Sequence, residues 1–271
     1  MPTADVATAA ALPAGPALLE TRGLTVRFGG HLAVSELDLD VAAGRVTGLI
    51  GPNGAGKTTT FNMISGVLRP SGGTGRLGGQ DVSRVGTHKR ARLGVGRTFQ
   101  RLEIFSSMTV RENVKVGAEI RQGWSRTTPS GPQMLAPEGD DLSLDQEVDL
   151  LLERVGLSAM SDVSASQLPT GQARLVELAR SLAIRPRVLL LDEPASGLDD
   201  SETAEFGALL LELAASGLAI FLVEHDVPLV MRVCSHIYVL DFGQVIASGS
   251  PEAIQRDETV LDAYLGSVKT T

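Results

Sequence analysis

The stretch Gly51-Pro52-Asn53-Gly54-Ala55-Gly56-Lys57-Thr58-Thr59 decides the fold of this chain. It follows the apolar run Val46–Ile50, which predicts a buried strand, and it precedes residues 60–67, which predict a helix. A glycine-rich loop between strand and helix is a P-loop, where backbone N–H groups and the helix dipole converge on an anion. In such a loop Lys57 reaches the β- and γ-phosphates of a nucleotide, and the Thr58 hydroxyl can bind Mg²⁺. The alternative is a glycine-rich turn without a ligand, and the strand and helix at its two ends argue against it.

The composition restricts the class of protein. The 271 residues suffice for one large domain or two small ones, and 43% hydrophobic residues suffice for a sizeable core. A net charge of −8 disfavours broad nucleic-acid binding but allows a local phosphate site. The single cysteine, Cys234, excludes an intramolecular disulfide and a cysteine-based metal site. We expect Cys234 to be a small buried apolar residue, and the chain to fit a reducing cytoplasm.

The N-terminal segment predicts neither a signal peptide nor a membrane anchor. Residues 1–17 are rich in Ala, Pro and Thr, and no Lys or Arg precedes Arg22, so we expect a disordered tail. Along the whole chain no apolar run approaches the roughly 20 residues of a membrane-spanning helix. A function at a membrane would therefore need another chain to hold this protein there.

Strand-like and helix-like segments divide the chain into parts. Residues 18–101 predict antiparallel strands around one buried strand, and residues 185–249 alternate buried strands with helices. Residues 102–184 between them predict helices, and residues 250–271 predict terminal helices. Strands that alternate with helices indicate an α/β sheet, with the phosphate loop at the carboxyl ends of its strands.

Capping signals set the expected helix boundaries. Thr109 and Glu112 predict a capping box at the start of one helix. Residues 123–141, which lack periodicity, predict a loop after that helix. Asp145 is expected to cap the next helix, and Gly156 is expected to end it.

Residues 84–101 carry six basic side chains: Arg84, Lys89, Arg90, Arg92, Arg97 and Arg101. One interpretation is a solvated helix face followed by a strand. The other is a docking surface for an acidic segment of a partner. The sequence leaves both open.

A second buried strand, at residues 188–191, ends in Asp192 and Glu193. In P-loop ATPases, an acid at the end of a neighbouring strand orders Mg²⁺. A carboxylate one residue further on can face an attacking water. An apolar strand that ends in two acids is common in many sheets, but at this distance after a P-loop it indicates a nucleotide site.

Six motifs in order make residues 18–266 resemble the ATP-binding subunit of ABC transporters. The matching stretches are Walker A at 51–59, the Q-loop at Gln100, the signature at 168–172, Walker B at 188–193, the D-loop at 196–199 and the switch histidine at His225. Phe28 lies where an aromatic side chain stacks on adenine in this family. The resemblance implies an α/β fold with a P-loop, RecA-like core, an antiparallel β subdomain and an inserted α-helical subdomain.

The resemblance also implies the cofactors and the site. ATP and Mg²⁺ would bind between two ATPase subunits, with Walker A of one facing the signature of the other. The implied catalytic residues are Glu193, His225 and Gln100, and the implied metal ligands are Thr58, Gln100 and Asp192. The implied nucleotide-binding residues are Phe28, Gly51, Pro52, Asn53, Gly54, Ala55, Gly56, Lys57, Thr58 and Thr59, with Thr170, Gly171 and Gln172 of the signature.

Within the family, the closest likeness is to an ATPase subunit of branched-chain amino-acid importers. It rests on residues 28–30, 96–100, 108–113 and 263–266. This likeness implies ATP-driven uptake through separate membrane permeases, an indirect role for a solute-binding protein, and a peripheral position on the cytoplasmic face of the membrane. Lipopolysaccharide-export ATPases share part of the pattern, so export is an alternative. A soluble ABC ATPase acting on DNA or ribosomes is another, against which one P-loop and no heptads argue.

The signature departs from the family pattern at two positions. Pro169 and Thr170 stand where Ser and Gly are usual. The serine normally helps to hold the γ-phosphate across the dimer. Either Thr170 is a tolerated filler and backbone amides suffice, or its hydroxyl replaces that of the serine.

Overall fold

The computed structural model describes residues 17–98, 101–124 and 142–266. Its strands are β1 (Ala17–Phe28), β2 (His31–Ala42), β3 (Val46–Ile50), β4 (Gly72–Leu77), β5 (Gln80–Asp81), β6 (Val95–Arg97), β7 (Val188–Asp192), β8 (Ala219–Val223), β9 (His236–Asp241) and β10 (Gln244–Gly249). Its helices are α1 (Lys57–Ser65), α2 (Thr87–Arg92), α3 (Val110–Gln122), α4 (Leu144–Arg154), α5 (Thr170–Ala183), α6 (Asp200–Ala215), α7 (Val227–Val233), α8 (Pro251–Gln255) and α9 (Glu258–Gly266). Gln100, residues 1–16 of the expected tail and residues 125–141 of the expected loop lie outside the described residues.

Two sheets carry the strands. One is antiparallel in the order β2-β1-β4-β5, and the other has the order β10-β9-β3-β8-β7-β6. The second sheet is parallel except for the antiparallel pair of β9 and β10. β3, β7 and β8 are buried along their whole length, as expected from their mainly apolar sequences. Because these strands run in the same direction, the residues that follow them meet at one edge of the sheet.

Two hydrophobic clusters hold the layers together. One lies between the two sheets and includes Phe61 of α1 and Phe221 of β8. The other packs α3 to α6 against the opposite face of the parallel sheet and includes Leu182. The α/β class with one antiparallel and one mainly parallel sheet is confirmed. Cys234 is buried as expected, and no helix within the described ranges is long and apolar enough to cross a bilayer.

The start of α4 differs from the sequence prediction. The capping box expected at residues 109–112 is present at the start of α3. For α4, however, Asp145 was the wrong choice, because the Ser143 hydroxyl accepts from the Gln146 N–H and the Gln146 side chain accepts from the Ser143 N–H. Asp145 lies in the first turn, where its charge favours the helix dipole and pairs with Lys115 at 2.8 Å.

The basic stretch at residues 84–101 does not form one surface. Arg90 is only 3% exposed and donates to main-chain carbonyl oxygens of Met63, Ile64, Val82 and Val85. Arg97 lies over the Phe61 ring, 5.5 Å from its centroid, and its side chain donates to the Ser65 hydroxyl at 3.1 Å. The exposed members are Arg84, Lys89, Arg92 and Arg101. Four side chains are therefore exposed, as both interpretations require, while two pack into the core.

Candidate functional site

The glycine-rich loop connects β3 to α1 at the carboxyl edge of the parallel sheet. Gly56 has φ 103° at the start of α1, and Gly51 has φ 154°. A side chain on Gly51 would overlap the Leu240 carbonyl oxygen, and one on Gly56 would begin 2.9 Å from the Ala33 carbonyl oxygen. Both positions therefore require glycine, which keeps the loop tight and leaves the first N–H groups of α1 without intrahelical partners.

Lys57 places a positive charge inside this loop. The side chain is 8% exposed, and its Nζ donates to the carbonyl oxygens of Gly51 at 2.6 Å and Pro52 at 3.0 Å. Burial lowers the pKa of Lys57, while the carboxylates of Glu193 and Asp192 act in the opposite direction. A polyphosphate in the loop would give this ammonium group anionic partners in place of neutral carbonyls.

Two acids stand at the end of the neighbouring strand. Asp192 closes β7 and is 5% exposed. Burial and the charge of Glu193 raise its pKa to about 6, against the lowering effect of the Arg97 and Lys57 charges. Glu193 has φ 48°, which is uncommon outside glycine, and its N–H donates to the Val223 carbonyl oxygen at 2.8 Å.

The residues at this edge fit a magnesium ion that also binds phosphate. Asp192 Oδ1 is buried and has no hydrogen-bond partner among the described residues, although buried acceptors are normally satisfied. Thr58 is exposed in the first turn of α1. The described ranges bring no three His, Cys, Asp or Glu side chains together as a metal site. Mg²⁺ usually takes one or two carboxylates and completes its shell with water and phosphate.

The switch-histidine position lies beside these acids. β7 and β8 are neighbours, with Asp192 opposite Val223, so Glu193 and His225 follow adjacent parallel strands. The His225 side chain is 62% exposed and faces the same edge as the loop. Gln100, which was expected to join them, lies outside the described residues.

Phe28 lies on the hairpin that borders the loop. It ends β1 opposite His31, and its side chain is 52% exposed. The strand that follows passes the loop closely, with the Ala33 carbonyl oxygen against Gly56. An exposed aromatic ring at this position is available for stacking on a base.

The signature residues lie against another part of the chain. Thr170 begins α5, and its methyl group is 3.2 Å from the position that a Cβ on Gly197 would take. A Cβ on Gly171 would overlap the Glu202 carboxylate of α6. Gln172 Oε1 is buried without a hydrogen-bond partner among the described residues. These contacts join the signature to the D-loop and α6 of its own chain.

Two contacts with the loop were not predicted from the sequence. A hydrogen bond joins the Tyr264 hydroxyl of α9 to the backbone of Gly51, and burial raises the pKa of Tyr264. The Gly243 N–H, in the turn between β9 and β10, donates to the Ala55 carbonyl oxygen at 2.9 Å. Both contacts brace the loop from residues far along the chain, and the only sequence signal was the ending at 263–266.

Comparison with known protein families gives two matches. Residues 34–196 match the model described as "ABC transporter". Residues 244–269 match the model described as "Branched-chain amino acid ATP-binding cassette transporter".

Individual relatives and solved structures agree with these matches. The chain is 40% identical over 252 residues to the high-affinity branched-chain amino acid transport ATP-binding protein BraF of Pseudomonas aeruginosa, covering 92% of this chain and 98% of BraF. It is 34% identical over 249 residues to the lipopolysaccharide export system ATP-binding protein LptB of Haemophilus influenzae, covering 92% of this chain and 97% of LptB. The crystal structure of a nucleotide-free ATP-binding cassette from an ABC transporter matches with a TM-score of 0.79 and 30% identity, covering 92% of this chain and 99% of that one.

Proposed function

The chain belongs to the ABC transporter family of ATP-binding proteins, and on that premise we propose that it powers uptake of branched-chain or related amino acids through separate membrane permeases. ATP hydrolysis coupled to transport is the activity of this family. The observation that carries the solute class is the match of residues 244–269 to the branched-chain model. In this proposal the protein is cytoplasmic and lies on the inner face of the membrane, and a solute-binding protein acts on it only through the permeases.

ATP binding follows from the arrangement at the sheet edge. The adenine stacks on Phe28, and the phosphates lie on the amides of residues 51–59 with the Lys57 ammonium between the β- and γ-phosphates. The ligands proposed for Mg²⁺, which neutralises phosphate charge when bound, are Thr58, Gln100 and Asp192.

The chemical step is the attack of water on the γ-phosphorus. Glu193 accepts a proton as the water oxygen bonds to phosphorus, and the bond to the β–γ bridging oxygen breaks. ADP and phosphate are the products. His225 donates to a γ-phosphate oxygen and holds the geometry of the group in transfer, and Gln100 is the third residue proposed to act in catalysis.

A second ATPase subunit completes the site in this proposal. Thr170 lies against the D-loop of its own chain and Gly171 lies against Glu202 of α6, and the exposed start of α5 is free to meet the γ-phosphate of ATP bound to the other subunit. Pro169 has no N–H and no hydroxyl, so it cannot replace the usual serine donor. The Thr170 hydroxyl is the nearest substitute.

We expect Thr170→Ala to weaken ATP-driven dimerisation and to lower turnover by about ten- to a hundredfold. A hydrogen bond to a charged group contributes roughly 1.5–3 kcal/mol, which corresponds to that range. ATP binding to the single subunit should not change, because the hydroxyl acts only across the dimer. Sedimentation with ATP, together with a nucleotide titration, measures both quantities.

The matched variant is Thr170→Ser, which keeps the hydroxyl and should keep most activity. If Thr170→Ala dimerises and turns over like the wild type, the amides at the start of α5 suffice and the threonine is only a filler.

The permease is proposed to bind in a groove between the sheet and the helical region. This groove has a volume of about 390 Å³, and its lining includes Phe105, Ile120 and Arg180. Phe105 is 43% exposed and Ile120 is 51% exposed, and exposed apolar side chains that line one groove are typical of a site for a protein partner. Arg180 lies over the Phe105 ring, 5.0 Å from its centroid. A short amphipathic helix of a permease, with an acidic residue near Arg180, would fit this groove.

We expect Ile120→Glu to abolish recruitment to membranes while ATP hydrolysis by the isolated protein stays normal. The wild-type protein should be soluble when it is expressed alone and should sediment with membranes when it is expressed with its permeases. A carboxylate in the groove would have to be desolvated for the permease helix to bind.

The control is Leu211→Glu on α6, a leucine that is 44% exposed outside this groove, which should be recruited normally. If Ile120→Glu is recruited to membranes as well as Leu211→Glu, this groove is not the binding site of the permease. A stable complex with DNA or ribosomes and no permease would argue against transport as a whole.

Export is the second candidate, favoured by the similarity to LptB. The residues of the ATP site are the same in both proposals, so site variants cannot separate them. The identity of the membrane chains that copurify with this protein would separate import from export.

A further inference from the structure

A single buried carboxylate joins the two loops that carry Glu193 and His225. Glu224 follows β8 and is 1% exposed. Its Oε1 accepts a hydrogen bond from the Ala195 N–H at 2.9 Å. Its Oε2 accepts from the His225 N–H at 2.9 Å and from the Asp226 N–H at 3.3 Å. One side chain therefore fixes the backbone on both sides of the proposed reaction centre.

The loop after β7 adopts a backbone conformation that needs support. Glu193 has φ 48°, and a non-glycine residue held in the left-handed region costs on the order of 1–3 kcal/mol. Its N–H is fixed to the Val223 carbonyl oxygen at 2.8 Å. The bond from Ala195 to Glu224 attaches the same loop a second time, two residues further on.

A negative charge at Glu224 has an electrostatic cost, which suggests that its hydrogen bonds to the two loops have a function. Asp192 lies near enough to Glu224 for the two negative charges to interact unfavourably. Burial of a charge is costly unless hydrogen bonds replace its water, and here three N–H groups do so. An apolar residue would fill the space without this repulsion but could not bind either loop.

We propose that Glu224 is a positioning residue, which holds the general base Glu193 and the switch residue His225 in a fixed relation to each other. This role requires no contact of Glu224 with ATP or with the attacking water. It acts because both loop backbones are fixed to the two oxygens of one carboxylate. This inference rests on the proposed roles of Glu193 and His225.

The test is the steady-state ATPase kinetics and ATP affinity of the full-length variants Glu224→Ala and Glu224→Gln. We expect Glu224→Ala to lower kcat by about 10- to 100-fold, since a misplacement of about 1 Å can cost roughly 100-fold. ATP affinity should stay within about twofold, because Lys57 and residues 51–56 hold the nucleotide. Glu224→Gln keeps one acceptor oxygen but turns an amide nitrogen towards another N–H. Its kcat should therefore lie between those of the wild type and Glu224→Ala.

The matched control is Glu147→Ala. Glu147 is 3% exposed and accepts from Arg121 and, at 2.9 Å, from Arg185 Nε, so it is an equally buried carboxylate in the helical region. Both alanine variants should lower the melting temperature, but only Glu224→Ala should lower kcat below that temperature. A normal kcat for Glu224→Ala, with only a lowered melting temperature, would reduce Glu224 to a structural role. If Glu224→Ala does not fold, the near-isosteric Glu224→Gln decides the question by the same comparison.

A double variant shows whether Glu224 acts through Glu193. If it does, Glu224→Ala should lower kcat by a smaller factor in the Glu193→Gln background than in the wild type, and the same should hold in the His225→Ala background. Losses that multiply fully in both backgrounds would contradict the inference. The two proposals fail in different ways. Normal ATP turnover by Glu193→Gln would contradict the role of Glu193 as the general base. Reduced turnover by Glu193→Gln together with normal turnover by Glu224→Ala would contradict only the positioning role of Glu224.

Discussion

Glu193→Gln is expected to lower ATP turnover by about 10²–10⁴-fold, the usual effect of removing a general base. Glutamine keeps the shape of the side chain, and the backbone N–H of residue 193 still donates to the Val223 carbonyl oxygen. The glutamine amide cannot, however, take a proton from water. ATP binding should therefore persist, and the ATP-bound dimer should accumulate because it no longer reaches products. Phosphate release measures turnover, and a nucleotide titration measures binding.

The control for this variant is Glu153→Gln, which changes an exposed glutamate in α4 and should leave turnover normal. Turnover by Glu193→Gln within about threefold of the wild type would show that another group takes the proton.

Lys57→Ala is expected to weaken ATP binding and to abolish hydrolysis. The Nζ of Lys57 is the positive charge inside the loop, and each charge-assisted hydrogen bond to phosphate is worth roughly 1.5–3 kcal/mol. Its loss should reduce ATP affinity by at least about tenfold, while circular dichroism and thermal melting show an intact fold. The fold should survive because the carbonyl oxygens that Lys57 now contacts can turn to water.

The comparison variant is Lys115→Ala, which removes a partly exposed lysine that pairs with Asp145 on the surface. Lys115→Ala should bind ATP normally. Unchanged ATP affinity in Lys57→Ala would mean that the loop amides alone hold the phosphates.

The loop, the strands around it and the acids after β7 were predictable from the sequence because each depends on neighbouring residues. Glycine spacing between a strand and a helix is a local pattern, and the strands at 46–50 and 188–192 are buried along their whole length and mainly apolar in sequence. Parallel pairing then brings their carboxyl ends to one edge.

The contacts between distant segments were not predictable in this way. Nothing near Glu224 in the sequence indicates that its carboxylate binds the Ala195 N–H. The bond from Tyr264 to Gly51 is equally remote, and Arg90 reads as a surface residue until its carbonyl partners are seen.

The wrong cap of α4 has a local cause. Ser143 and Asp145 are both good N-caps, and composition alone does not decide which of two nearby caps begins the first turn. Ser143 is followed three residues later by Gln146 and so completes a capping box, whereas Asp145 is followed by Val148, so the local pattern favours Ser143.

The most direct test of the central claim measures the uptake of radiolabelled leucine, isoleucine and valine by cells of the organism that encodes this protein. In the test cells the chromosomal gene for the protein carries Glu193→Gln, and in the control cells it carries Glu153→Gln. At limiting external concentration, we expect the Glu193→Gln cells to lose uptake of at least one of these amino acids, while the Glu153→Gln cells take them up like the wild type. Wild-type uptake of all three by the Glu193→Gln cells would contradict the claim that this ATPase powers their import.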